Sequence, residues 1–289
     1  MLTLVATPIG NLGDISFRAV EALQNADTVF CEDTRRTLQL LNHLNIRKTL
    51  VSCHEHNERA RAEEVTERLR RGENIVYVSD AGMPGISDPG AVLVSACLAA
   101  GLEYTVIPGA SAVLTAAVLS GLPCRTFSFF GFLPRESRQR KQTLDRIMRC
   151  GHLAILFESP HRVGDTLRIL AENGAGEWQA AVLRELTKKY ESAIRGTVAE
   201  LAAKFTAEEP RGECVITVLC EEPGTADPGQ EEIERILREA LAGGMSAKDA
   251  AAAASKTTGI RKNTAYGIAL RLKEMTEGKD ENEQDQGSD

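Results

Sequence analysis

The residues able to do chemistry gather in five short loops. One reads Ser79-Asp80-Ala81-Gly82-Met83-Pro84-Gly85-Ile86-Ser87-Asp88-Pro89-Gly90, after the apolar run 75–78 and before an alanine-rich segment, 91–100. The others are Thr7-Pro8-Ile9-Gly10-Asn11-Leu12, Glu32-Asp33-Thr34-Arg35-Arg36, Cys53-His54-Glu55-His56-Asn57 and Pro108-Gly109-Ala110-Ser111-Ala112. Glycine lets a backbone approach a ligand closely, and proline holds a loop in one shape. A strand-to-helix connection usually takes about two to six residues, so the loop from Ser79 to Gly90 is too long to be a plain link. No Gly-x-Gly-x-x-Gly follows the first strand, and no Walker loop, Gly-x-Ser-x-Gly elbow or His-Glu-x-x-His occurs. His54 and His56 stand two apart with no third histidine or spaced cysteines, so no metal site is expected. Neutral, hydrogen-bonding loops of this kind suit a cationic or zwitterionic nucleotide-like ligand better than a triphosphate, which calls for a lysine-bearing loop.

These loops must be held by strands and helices. Short β-branched runs at 2–6, 28–31, 49–52, 75–78 and 104–107 alternate with helical patterns at 17–25, 38–44, 58–71, 91–100 and 113–120. That alternation predicts a mostly parallel sheet, and ligands of such sheets bind at the carboxyl ends of the strands. Ser16 is placed to cap the helix at 17–25. Gly121-Leu122-Pro123 reads as a boundary. Beyond it, strands at 127–130, 153–157, 179–183, 192–196 and 214–219 have some connections too short for crossovers, so antiparallel pairs are expected. The expected domains are an N-terminal α/β domain at 1–120, a C-terminal α/β domain at 121–222 and a helical appendage at 229–275. Residues 221–229 read as a linker, and the polar, acidic segment 276–289 is expected to be disordered.

Composition narrows the class. The formal charge of −7 comes mostly from six acids against one lysine in 276–289. Residues 125–149 instead hold seven Arg/Lys against Glu136 and Asp145. That basic stretch is equally compatible with a polyanion partner and with a solvated helix face. No run approaches the ~18 apolar residues of a membrane span, and no secretory leader is evident. Seven scattered cysteines, never as Cys-x-x-Cys, indicate reduced thiols and a cytoplasmic location.

Nine motifs occur in register. They are Thr7-Pro8-Ile9-Gly10-Asn11-Leu12, Glu32-Asp33-Thr34-Arg35, His54-Glu55-His56-Asn57-Glu58, Ser79-Asp80-Ala81-Gly82-x-Pro84, Ser87-Asp88-Pro89-Gly90, Gly131-Phe132-Leu133-Pro134, Glu158-Ser159-x-His161-Arg162, Arg184-Glu185-Leu186-Thr187-Lys188 and Gly212-Glu213. Together they resemble the small-subunit ribosomal RNA methyltransferase I branch of the tetrapyrrole methylase superfamily, the branch that modifies the ribose 2′-oxygen. The likeness spans 2–220 and continues weakly into the helical segment. It implies two α/β domains with S-adenosyl-L-methionine in the cleft between them, a homodimer, and 2′-O-methylation of a cytidine in the decoding region of 16S rRNA. It implies that Asp80, Ala81, Gly82, Pro84 and Ile86, with Pro108, Gly109, Ser111 and Ala112, hold the cofactor. Phe157, Glu158, Leu183 and Glu213 add contacts from the second domain. The superfamily carries Gly-Asp-Pro where this chain has Gly82-Met83-Pro84, so recognition at that point is expected to rest on backbone shape.

Methyl transfer from a sulfonium is an in-line displacement, in which alignment supplies up to ~7–11 kcal/mol. Proton removal from the 2′-hydroxyl is worth ~10²–10⁴-fold, and Asp33, His54 and Glu55 are the candidates, each with a positioning role as the alternative. Arg35, Arg36, Arg135, Arg138 and Arg162 are the expected contacts to RNA, either naked or in the assembled 30S subunit. Two other readings stand beside this one. Tetrapyrrole or protein side-chain methylases carry a Gly-x-Gly-Pro-Gly-Asp first loop that is absent here, and a non-enzymatic assembly factor would bind no S-adenosylmethionine.

Overall fold

The protein is seen in a computed structural model, which describes residues 1–221, 230–258, 260 and 262–284. Nearly all of the expected linker 221–229 lies outside the described residues. One compact unit, Met1–Leu144 with Leu153–Leu219, contains two five-stranded sheets. In the first sheet β1 (Leu2–Val5), β2 (Thr28–Cys31), β3 (Leu50–Ser52), β4 (Ile75–Val78) and β5 (Tyr104–Ile107) lie in the order β3-β2-β4-β1-β5. Every pairing in it is parallel. Alternate residues of a strand face opposite sides, so each face buries its own core. Val5, Val29, Val76 and Val78 pack against Ala19 and Leu23 of α1 (Phe17–Asn25) and Leu41 of α2 (Thr34–His43). On the other face Leu4, Phe30, Ile75 and Tyr77 pack against Val65 of α3 (Glu58–Arg70) and Leu93 of α4 (Ala91–Ala99). Side chains with no exposure, such as Leu23, Val65 and Leu93, each contribute ~1.5–3 kcal/mol by burial.

α5 (Ala112–Leu119) comes next in the chain, but its buried face serves the second sheet. Val113, Ala116 and Ala117 pack on Leu153, Ile155, Ala181, Leu183 and Val215. The helix ends under Arg195, which donates to the Ser120 and Leu119 carbonyls at 2.7 and 2.5 Å. The second sheet runs β6-β7-β10-β8-β9, from β6 (Phe127–Phe132), β7 (Leu153–Glu158), β8 (Gln179–Arg184), β9 (Ser192–Thr197) and β10 (Cys214–Leu219). β6–β7 is parallel and the remaining pairs are antiparallel. α6 (Ser137–Ile147) and α7 (Val163–Leu170) follow β6 and β7. α7 ends at Leu170 and passes at Ala171 into a wide turn in which Gly174 takes φ +100°. α8 (Val198–Ala207) starts with a reciprocal cap between Thr197 and Glu200.

The second unit, Asp145–His152 with Cys220–Asp289, is built on α9 (Gln230–Ala242), α10 (Ala247–Thr258) and α11 (Lys262–Gln284). Ile233, Leu237, Ala250, Ala254, Ile268 and Leu272 form its core. α11 continues to Gln284, into the segment expected to be disordered; 285–289 lie outside the described residues. Past Leu272 the sequence is rich in Lys, Glu and Gln, which favour continuing a helix already nucleated by packing.

Candidate active site

The loops at the carboxyl ends of β1, β4 and β5 meet the loops of the second sheet around a cavity of about 450 Å³. That is within the range of small-molecule sites. Ile9, Ala81, Gly82, Met83, Ser111 and Val113 are contributed by the loops after β1, β4 and β5 and the start of α5. Phe132, Phe157, Pro160, Leu186, Cys214 and Val215 are contributed by the second sheet and its loops. Phe157 is clasped between Phe129 and Phe132, with ring centres 4.7 and 5.8 Å away. No lysine or arginine lines the cavity. Two backbone hydrogen bonds, Thr7 N–H to Gly82 O at 2.9 Å and Gly82 N–H to Thr7 O at 3.0 Å, tie the β1 loop to the β4 loop. Gly82 sits at φ +80°, a backbone state closed to most side chains, and a Cβ there would stand 3.3 Å from Ile9. Ser111 caps α5 by accepting from Leu114 N–H, which places the first turn of that helix at the cavity.

Three carboxylates line this cavity, and two are neutralised. Glu158 is 2 % exposed; it accepts from Ser159 N–H at 2.9 Å and Thr166 Oγ1 at 2.8 Å, with Arg162 3.4 Å away. Glu213 pairs with Lys188 at 2.9 Å. Asp88 faces no cation among the described residues; burial and the nearby Glu32 and Asp80 carboxylates push its pKa up to about 6. Ser79 Oγ leans toward it without a well-aligned hydrogen bond. The loop carrying Asp88 is fixed in place. Gly85 N–H donates to Pro89 O at 3.0 Å, and Gly90 N–H donates to the buried Glu58 carboxylate at 2.6 Å. Ser87 takes φ +61°, a strained state that the anchored loop enforces. Burial also raises Glu32.

The sequence-derived candidates divide clearly. Ala81, Gly82, Ile86, Ser111, Ala112, Phe157, Glu158 and Glu213 line the cavity. Asp80, Pro84, Pro108, Gly109 and Leu183 do not. Asp80 instead accepts from Asp33 N–H at 3.0 Å and pairs with Arg36 at 3.4 Å. Leu183 is fully buried in the second core.

Among the proton-acceptor candidates, Asp33 caps α2 by accepting from Arg35 N–H at 2.8 Å and also holds the Arg35 guanidinium. Those bonds lower its pKa to about 2, which makes it a poor base. His54 lies beside Glu32, 5.9 Å from His56 between ring centres, and its Nδ1 is buried without a partner. Glu55 is exposed in the turn before α3. Neither lines the cavity.

Of the arginines, Arg35, Arg36, Arg135 and Arg138 are exposed. Arg162 is an internal brace, donating to Leu133 O at 2.7 Å beside Glu158. Ile9, Phe132 and Leu186 line the site without having been assigned a role, and Asp88, part of the β4 loop quoted above, lines it as well. The three apolar residues resemble ordinary core, whereas Asp88 stands in a quoted motif next to a proline.

Comparison with known proteins shows the family. Residues 1–202 match the family model Tetrapyrrole (Corrin/Porphyrin) Methylases, and residues 227–273 match the RsmI C-terminal HTH domain. The chain is 41 % identical over 273 residues to Ribosomal RNA small subunit methyltransferase I of Synechocystis, covering 94 % of this chain and 98 % of that protein. It is 48 % identical over 199 residues to the protein of the same name from Halalkalibacterium halodurans, covering 69 % and 68 %. Among solved structures, the methyltransferase CobJ superposes with a TM-score of 0.59 at 20 % identity, covering 76 % of this chain and 93 % of that one. At that identity the likeness is one of fold.

Proposed function

The chain belongs to the ribosomal RNA small subunit methyltransferase I family, methyltransferases of tetrapyrrole-methylase fold, and from that membership we propose that it methylates small-subunit ribosomal RNA with S-adenosyl-L-methionine. The observation that carries the reading is the cavity lining: it has no lysine or arginine, offers apolar walls and a helix start, and holds one carboxylate without a cation. A sulfonium-bearing amino acid joined to a nucleoside fits those surroundings; a polyphosphate does not. S-adenosylmethionine supplies an activated methyl group when bound. Met83 stands beside Gly82 at the cavity wall, so the β4 loop contributes there through backbone shape and an apolar side chain.

The finer assignment is the ribose 2′-oxygen of a cytidine in the decoding region. A neutral hydroxyl attacks poorly, and the group best placed to take its proton is Asp88, the cavity carboxylate with a pKa brought near neutrality. With the methyl donor bound, Asp88 would accept the proton that the attacking hydroxyl gives up as its oxygen takes the methyl group. A second copy of the chain has an apolar surface to cover: Tyr104 and Val106 on the edge strand β5, and Leu114 and Val118 on α5, are 37–75 % exposed. This supports a homodimer. No described helix is long and apolar enough to cross a membrane. A cytoplasmic site of action follows from the substrate.

The test is transfer of labelled methyl from S-adenosylmethionine to 30S subunits and to naked 16S rRNA, followed by nuclease mapping. Label on one ribose of the small-subunit RNA is expected. Label on a base overturns the 2′-O assignment, and absence of S-adenosylmethionine binding overturns the enzyme reading.

A further inference from the structure

A second cavity, of about 320 Å³, opens on the α2 side of the same strand ends. It shares the Thr7–Gly82 bridge with the first: Thr7, Pro8 and Asp80 line the second, while Ile9, Ala81 and Gly82 line the first. Its lining differs in kind. Leu12 and Leu40 offer apolar walls, and Gln39, Arg36 and Asp80 bring an amide, a guanidinium and a carboxylate to one small space. Asp80 is anchored by Asp33 N–H at 3.0 Å and by Arg36 at 3.4 Å, whereas the Gln39 amide is exposed and makes no hydrogen bond among the described residues. Leu38 on α2 is 50 % exposed, and Phe17, 95 % exposed, opens α1 five residues after Leu12; Arg18, Arg35 and Arg36 are exposed on the same two helices. Exposed aromatic and apolar groups among arginines are the chemistry that holds unpaired nucleotides by stacking and by phosphate contact.

We propose that this second cavity receives the base of the target nucleotide, unstacked from the RNA, so that its ribose lies at the Thr7–Gly82 bridge facing the donor cavity. The inference rests on the RNA methyltransferase reading above. A base enclosed here leaves its sugar one glycosidic bond away, at the wall the two cavities share. Leu12 and Leu40 flank the ring, Gln39 and Asp80 face its hydrogen-bonding edge, and Arg36 stands where the adjoining phosphate passes. Enclosing a flipped base is the general solution when the reacting atom is hidden in a structured nucleic acid.

The test uses the full chain with 30S subunits or 16S rRNA, whichever the parent methylates, and two variants. Leu12→Trp fills the mouth of the cavity, and Gln39→Ala removes one exposed amide and serves as the variant least disruptive to folding. Both are expected to bind S-adenosylmethionine within twofold of the parent while kcat/KM for the RNA substrate falls roughly 10- to 100-fold, the loss expected for one base contact. Full kcat/KM in both variants, with unchanged melting temperature, overturns the base-binding cavity and leaves the RNA methyltransferase reading standing. A parent enzyme that transfers no methyl to RNA overturns that reading instead. If the variants lose S-adenosylmethionine binding as well, the cavity belongs to the donor and the proposal fails.

Discussion

The two cavities that meet at the Thr7–Gly82 bridge are built differently. The larger is walled by loop backbone, a helix start and apolar side chains, with its only uncompensated charge at Asp88. The smaller is walled by the ends of Arg36, Gln39 and Asp80. The first takes its shape from glycines, prolines and anchored turns, so its weak point is backbone geometry. The second takes its character from polar side chains, Arg36 and Gln39 on α2 and Asp80 on the β4 loop, so truncating those on α2 changes what it binds without changing its frame. Substitutions that separate these two dependencies sharpen the contrast, and a variant behaving otherwise breaks it.

The largest effect is expected at Gly82. Gly82→Val must place a β-branched residue at φ +80°, 3.3 Å from Ile9, on the bridge between the cavities. Displacing reacting groups by about 1 Å costs on the order of 10²-fold, and here the donor site itself closes. Calorimetric titration is expected to detect no S-adenosylmethionine binding to a folded variant. Normal binding would move the donor site elsewhere.

Asp88→Asn follows, because it tests charge while keeping shape. Its expected cost is about 10²–10⁴-fold in kcat with donor affinity retained, the range for loss of general-base assistance. The parent's activity is expected to rise on the acid limb as a group near pH 6 ionises, and the variant's profile to lose that limb. Stability is expected to move the other way. A carboxyl whose folded pKa, about 6, exceeds its ordinary 3.8 favours the fold while protonated. That contribution is complete below 3.8 and is lost as pH rises toward 6. At pH 7 the Asn variant is therefore expected to melt no lower than the parent. A variant with full kcat and an intact acid limb would exclude Asp88 as the proton acceptor.

A smaller, graded effect separates phosphate contacts from base contacts. Arg135 and Arg138 are exposed on the loop before α6 and in its first turn, outside both cavities. Arg135→Ala with Arg138→Ala is expected to weaken RNA binding and to flatten its dependence on log salt by ~0.7–0.9 per lost contact. Methyl transfer at saturating RNA is expected to stay unchanged. An unchanged salt slope would assign this stretch to a solvated helix face.

Much of this architecture is readable from residue types. Strand β4 and its loop stand out because a β-branched run ends in a stretch of glycine and proline too long for a link, and Ser16 announces the start of α1. The role of Asp88 is not readable that way. Its proton affinity depends on burial, on Glu32 and Asp80, and on there being no facing cation among the described residues, which are facts of three-dimensional proximity. Leu186 and Phe132 look like core because cavity walls and cores are made of the same residues. Arg162 looks like a phosphate contact because arginine type does not reveal that its guanidinium turns inward to the Leu133 carbonyl.

Asp33 gives the smallest effect and the cleanest contrast with Asp88. Both are loop acids at the carboxyl ends of neighbouring strands, yet one is drawn down to about 2 and the other pushed up to about 6. Hydrogen bonds from the Arg35 side chain and backbone cause the first; burial and like charge cause the second. Asp33→Ala is accordingly expected to keep kcat within a few fold, since a carboxyl of such low pKa accepts a proton poorly at neutral pH. It is expected to lose the cap of α2, lowering the melting temperature by roughly 2–4 °C at pH 7. The contribution of a lowered carboxyl is present above its ordinary pKa of 3.8 and disappears as pH falls through about 2, so parent and variant are expected to converge in acid. A collapse of kcat at pH 7 with the melting curve unmoved would reverse the roles of the two acids and make Asp33 the base.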